Sequence, residues 1–265
     1  MAIVDTGLIS RYYIDEAASG IAPTSLVDSS SNGYDLTTID YGGGNLAFVE
    51  VSGNRGLVSS SITGTQRAVR AIDNTSDALR DALEGTQTAT IEFVADLTAG
   101  NSGGGRIFGV NGRAGQNGEC IMRFNTSSGG GLTPMWDDIA RGLWIIGASS
   151  GRRVYHLVFD TTQATASNRV LIYVNGSVQA ATSAGTTITQ NSTLSLGSNL
   201  DLTMFNRENS GSYDRSIGGT IFYAAIYSSA LSSTNVADNY AVLTADDDTP
   251  AGGGSVANAY YIQNN

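Results

Sequence analysis

The chain has 265 residues, 24 acidic against 14 basic, and a formal net charge of −10, a balance that excludes the basic stripe a nucleic-acid surface needs. No apolar run is long enough for a membrane-spanning helix, and the single Cys120 excludes an internal disulfide and leaves the redox compartment open. With 33 glycines against 3 prolines, the composition favours many tight turns in one β-rich domain large enough for a full core.

The opening, MAIVDTGLISRYYIDE, has no basic start, no long apolar stretch and no small-residue cleavage site, so no secretory signal is expected. Within it, LISRYYID (8–15) is the first predicted strand. DSSSNGYDL follows at 28–36. Its Asn32-Gly33 pair suits a type I′ turn, and Asp and Ser cap such turns. Asp28, Asn32 and Asp35 also offer the hard oxygens that calcium takes, so both readings stay open.

Further strands are predicted at 45–51, 88–97, 106–110, 119–124, 143–147, 153–160, 169–176, 192–198 and 219–227. Each is short, rich in β-branched or aromatic residues and bounded by Gly, Asn, Asp or Ser. In RVLIYVNG, Val170, Ile172 and Val174 share one face and Leu171 and Tyr173 the other, so both faces are covered. Helical signals are confined to SDALRDALEG (76–85) and LSSTNVADNYAVL (231–243), the second capped by Ser232 or Ser233. The end, TADDDTPAGGGSVANAYYIQNN, reads as an arm at 244–265. Its Tyr260, Tyr261 and Ile262 are expected to dock on a neighbouring chain.

Catalytic patterns are sparse. Paired carboxylates alternating on one strand would mark a glycosidase, but Glu92 has Val94 at i+2 and Asp96 at i+4. The only histidine, His156, sits mid-strand in RVYHLVFD and reads as a satisfied strand residue. One His and one Cys exclude an ordinary structural zinc site. TPMWDDIARG places Trp136 beside Asp137 and Asp138, either a sugar-stacking aromatic with acidic neighbours or a solvated loop; Tyr213 is a further aromatic candidate. All 14 basic residues are arginine, from compositional bias or a surface made for bidentate protein contacts.

Several stretches together resemble the laminin-G-like, concanavalin-A-like jelly rolls. GLISRYYIDEAASG…LVDSSSNGYDL is similar to their opening strand and loop. TATIEFVADL resembles their central strand, and RVYHLVFD…NRVLIYVNGSV the later strand pair. LSLGSN with GGTIFYAAIYSSALSSTNVADNY is similar to their final strand and short helix. The resemblance runs from about residue 7 to 243. It implies an all-β jelly-roll sandwich of two antiparallel sheets over 1–243.

The departures matter. Phe222 and Tyr223 stand where the family often has an acidic pair, Val154 where it has Trp, and Ser31 where the loop has Gly. Polar positions turned aromatic, and the arm, point to packing or an interface. The resulting expectation is a non-enzymatic structural or adhesive component of a virion, a phage capsid decoration, head-fibre or tail protein. It would be assembled in the host cytoplasm, form a homo-oligomer and contact other virion proteins. The alternative is an extracellular lectin-like module for cell-surface glycans using Trp136, Asp137, Asp138 and Tyr213. Calcium is an optional ligand at Asp28, Asn32 and Asp35, and no cofactor is required.

Overall fold

The computed structural model describes residues 3–39, 46–60, 68–73, 78–100, 104–112, 119–125, 129–147, 151–197, 200–209, 212–213 and 215–250. Two antiparallel sheets face each other. The first runs in the order Ser177–Gln179, Val170–Val174, Arg153–Asp160, Thr88–Gly100, Ile217–Tyr227, Asn54–Ser59, Leu46–Val51, with Leu8–Tyr13 also paired to Ile217–Tyr227. The second runs Ser183–Ala184, Gly142–Ile145, Gly131–Trp136, Glu119–Asn125, Gly105–Gly112, Leu200–Met204, Ala68–Asp73, Leu36–Ile39, Ser25–Leu26, with Ile139–Ala140 beside Gly131–Trp136. The all-β sandwich implied by the sequence is therefore the observed architecture.

The period-2 alternation of strands sorts the first sheet's residues between two separate cores. Ile91, Phe93, Ala95, Tyr155, Leu157 and Phe159 point inward to the main core shared with the second sheet. Val94, Val154, Val158, Tyr223, Ala225 and Tyr227 point outward into a second cluster. That outer face is roofed by the helix Ser233–Ala245, through Val236 and Leu243, and by the N-terminal residues Ile3 and Val4. Ser232 caps the helix, its Oγ accepting from Asn235 N at 3.1 Å. All residues of Ile217–Tyr227 are buried as a consequence, which explains its unbroken apolar run.

Four strands of five or six residues were not legible in the sequence. In Asn54–Ser59, a Cβ on Gly56 would lie 2.7 Å from the Ile221 carbonyl oxygen, so the close approach of the neighbouring strand demands glycine and weakens the strand pattern. Gly131–Trp136 contains Pro134, which lies between two short pairings, Gly131–Leu132 with Trp144–Ile145 and Met135–Trp136 with Ile139–Ala140. A proline is tolerated there because no ladder N–H is needed. Ala68–Asp73 and Leu200–Met204 pair with each other and lack the aromatic residues that marked the others. Conversely, 192–197 is not a strand. Leu194 and Leu196 are buried, but Leu194 exchanges backbone hydrogen bonds with Gly85 and Thr86, and Leu196 N donates to Glu84.

Past the expected boundary at 243, the chain stays fastened to the sandwich. The helix continues to Ala245. Arg55 then grips Asp248 Oδ2 at 2.9 Å, and Thr249 N donates to Asp15 Oδ2 at 3.0 Å. Tyr260, Tyr261 and Ile262, expected to dock on a neighbour, lie outside the described residues.

Trp136 is fully buried, its ring 4.8 Å from Phe159 at the centre of the sandwich. Trp136→Ala should cost about 3–5 kcal/mol, the range for emptying a large core site. Urea denaturation checks this; a loss under 1 kcal/mol would remove Trp136 from the core.

Candidate functional site

Glu92 and His156 occupy directly opposed register positions on adjacent strands. Both point to the outer face and both are fully buried. His156 Nε2 stands 2.9 Å from Glu92 Oε2, within range of charge attraction although the ring is not aligned for a hydrogen bond. Asn239, on the helix Ser233–Ala245, donates from Nδ2 to Glu92 Oε2 at 2.6 Å, and its Oδ1 accepts from Val4 N at 2.9 Å. Tyr227 OH donates to Glu92 Oε1 at 3.2 Å. Burial alone would raise the Glu92 carboxyl, but the His156 ring and the Asn239 amide outweigh it, and it titrates below its ordinary value.

The network continues outward through Arg11. Its Nε donates to Tyr223 OH at 3.0 Å, and Nη2 donates to Val4 O at 3.0 Å and to Tyr227 OH at 3.4 Å. Nη2 also pairs with the exposed Asp5 at 2.7 Å. Here the chain opens into a cleft of about 350 Å³ lined by Asp5, Arg11, Tyr13, Val242, Asp246 and Asp248. That volume is in the range of small-ligand sites. Tyr13 and Arg11 show only narrow edges to this hollow, at 9% and 8% exposure, so the carboxylates of Asp5, Asp246 and Asp248 supply most of the groups that could hydrogen-bond a sugar's hydroxyls.

Asp246, Asp247 and Asp248 bring one carboxylate oxygen each within 4.8 Å of the others, the described group that could best hold a metal ion. Two of the three are already balanced, Asp247 by Arg152 at 2.7 Å and Asp248 by Arg55. Burial raises the Asp247 carboxyl to about 6 against the attraction of Arg152.

A second polar centre lies on the second sheet. Glu119 is buried and accepts from Arg106 Nη2 at 2.9 Å. Arg123 and Arg207 also close on its carboxylate. Burial would raise Glu119, but the three guanidiniums hold it down at about 2.

The residues singled out in the sequence fall elsewhere. Asp28 is a turn staple: its carboxylate accepts from Arg11 N, Ser30 N and Oγ, and Tyr34 N at 2.7–2.9 Å. Asp35 accepts from Asp28 N, and Asn32 Nδ2 donates to Ile9 O. A calcium ion at Asp28, Asn32 and Asp35 would have to displace these bonds. Trp136, expected at a sugar site, has no surface to offer one. Asp137 and Asp138 form a turn with φ of 58° and 61°, and Asp137 Oδ1 accepts from Ser195 N. Tyr213 lies on the short strand Ser212–Tyr213, opposite Glu208.

Phe222 and Tyr223 face the protein's own roof. Phe222 lies 5.9 Å beneath the Arg152 guanidinium, and Tyr223 is a partner of Arg11. The functional groups that sequence reasoning passed over, Arg11, Glu92 and Glu119, share one signal. Arg11 and Glu92 are charged residues inside strand runs, and Glu119 opens one.

Neither family models nor curated proteins match the chain by sequence. Solved structures do share its fold. A Trypanosoma rangeli sialidase in complex with the inhibitor DANA is similar at TM-score 0.60 and 14% identity, over 94% of this chain and 34% of the sialidase. Domain 4 of AbnA, a GH43 extracellular arabinanase from Geobacillus stearothermophilus in complex with arabinotriose, is similar at 0.51 and 15%, over 89% of this chain and 100% of that domain. Botulinum neurotoxin type C, whose cell entry depends on interaction with two ganglioside molecules, is similar at 0.54 and 12%, over 89% of this chain and 51% of the toxin chain. The chain thus has a jelly-roll sandwich fold and spans about a third of the sialidases' length. The expectation of a non-enzymatic protein is overturned: chains with this fold include sialidases, so the scaffold does not separate enzymes from binding modules.

Because Glu119's folded value lies below its ordinary 4.5, its stabilising contribution is present above pH 4.5 and fades as pH falls toward 2. The urea-midpoint gap between wild type and Glu119→Gln should therefore be widest near pH 7 and shrink across that window. A gap that stays constant to pH 2 would contradict the ion cluster.

Proposed function

We propose that the chain is a glycan-recognition domain whose binding site is the cleft between the Leu8–Tyr13 strand and the end of the Ser233–Ala245 helix. The observation that carries this is the cleft's lining: Arg11 held through Tyr223 and Tyr227 to the Glu92 network, Tyr13 packed 5.4 Å from the Tyr223 ring, and Asp5, Asp246 and Asp248 on the rim. Preorganised polar groups beside an aromatic ring suit a sugar, whose hydroxyls need aimed partners and whose C–H face needs an apolar one. The three solved structures above support the reading through what they bind: a sialidase inhibitor, arabinotriose and gangliosides.

A virion structural role, the leading expectation from sequence, has less behind it. Among the residues it rested on are Phe222 and Tyr223, which pack against Arg152 and Arg11 of the same chain, and the arm at 244–265. Glycan recognition serves equally a free-standing module or one region of a glycan-processing enzyme.

A glycan array, with and without calcium, followed by titration of the strongest hit, tests the proposal. Val242→Trp, which fills the cleft from its partly exposed wall, should weaken binding at least tenfold and leave the thermal midpoint within a few degrees. Array silence, or a hit that Val242→Trp binds as tightly as wild type, would sink the cleft as the site. Release of free sugar in the same assay would show that the chain also acts as an enzyme.

A further inference from the structure

Glu119 and Arg123 lie four residues apart on one strand, so they share a face of the second sheet. Arg106 stands opposite Arg123 in register, and Arg207 arrives from just beyond Leu200–Met204. The arrangement is layered. Arg106 and Glu119 are sealed at 1% and 2% exposure, while the Arg123 and Arg207 side chains reach the surface at 22% and 21%.

Among the described side chains, Glu119 is the one carboxylate paired with Arg123 or Arg207. It answers both of them and Arg106 together. The Nε atoms of Arg123 and Arg207 are buried without a hydrogen-bond partner. Buried guanidinium N–H groups are seldom left so. Two neighbouring guanidiniums also repel, and burial together with Arg207 and Arg215 pulls the Arg123 guanidinium down despite Glu119. An oxyanion on the exposed edges of the two side chains would offset that repulsion. The molecule as a whole carries −10 and repels anions, so any anion binding must be built locally. Planar guanidinium forks match carboxylate and sulfate oxygens bidentately.

We propose that the outer edges of Arg123 and Arg207 form a binding site for an oxyanion, the carboxylate or sulfate of an acidic saccharide. The site lies on the second sheet and is separate from the cleft. That a sugar carries the anion rests on the glycan reading above; that an oxyanion binds rests on the arginines alone.

The test is titration of the full chain with sodium sulfate, with a glucuronate-containing disaccharide and with its neutral glucose counterpart. Sulfate and the acidic disaccharide should both bind, the neutral sugar should not bind at this site, and Arg207→Gln should weaken the two anions at least tenfold. Arg207→Lys keeps the charge but loses the fork. It should weaken binding several-fold and serves if Arg207→Gln does not fold. Anion binding that is equal in wild type and in whichever variant folds, or absent from wild type, would overturn the site. Sulfate binding without disaccharide binding would overturn the saccharide as carrier. Val242→Trp should leave anion binding unchanged, which separates failure of this site from failure of the cleft.

Discussion

The buried Glu92 carboxylate is the constraint around which the outer face is built. A charge with no exposure is costly unless every lone pair has a partner. Here the partners come from three separate parts of the chain: His156 from the adjacent strand, Tyr227 from the final strand and Asn239 from the helix. Satisfying one carboxylate therefore fixes where the helix sits on the sheet. Asn239 then passes the constraint to the N-terminal segment through Val4. Arg11, bonded to Tyr223 and Tyr227, carries it to the cleft wall. Removing a member of such a network strands the others, so its loss is felt beyond a single hydrogen bond.

This linkage gives the cleft its rigidity. Arg11 and Tyr13 sit on a paired strand, not a loop, and the helix that closes the other side is pinned from within. Sites on regular elements lose less freedom on binding a ligand, which favours affinity. The aromatic residues Phe222 and Tyr223 take part in this design. One packs under Arg152, which also holds Asp247, and the other orients Arg11. Both lie on the sheet, beneath the helix and the N-terminal segment. The arginines divide in the same way: Arg55 and Arg152 tie the helix exit to the sheet and Arg11 ties down the N-terminal segment, whereas Arg106, Arg123 and Arg207 converge on Glu119 at the other face of the sandwich.

Much of the fold was legible in the sequence because alternation and turn chemistry are local. The strands at Leu8–Tyr13, Thr88–Gly100, Arg153–Asp160 and Ile217–Tyr227 declared themselves by composition, and Ser232 declared the helix start. Asp28 serves its loop, as its saturated carboxylate shows, but Gly33 takes positive φ and Asn32 does not, so the expected type I′ turn is not formed. The site was not legible. Trp136 looked exposed because Asp-Asp follows it, yet the turn begins only after the ring has entered the core. Glu92 and His156 are 64 positions apart and meet only through strand register. Nothing local to TATIEFVADL or RVYHLVFD states that the two will pair, nor that a helix will cover them. Charged residues in strand runs were the available signal, and they marked both polar centres.

The central claim is that Glu92 holds the helix and the N-terminal segment in place and so shapes the cleft. Amide hydrogen exchange on wild type and Glu92→Gln tests it most directly. The account predicts a selective loss of protection along Ser233–Ala245 and at Val4, with the second sheet unchanged. Protection that is unaltered in the helix, or that falls equally through both sheets, would contradict it.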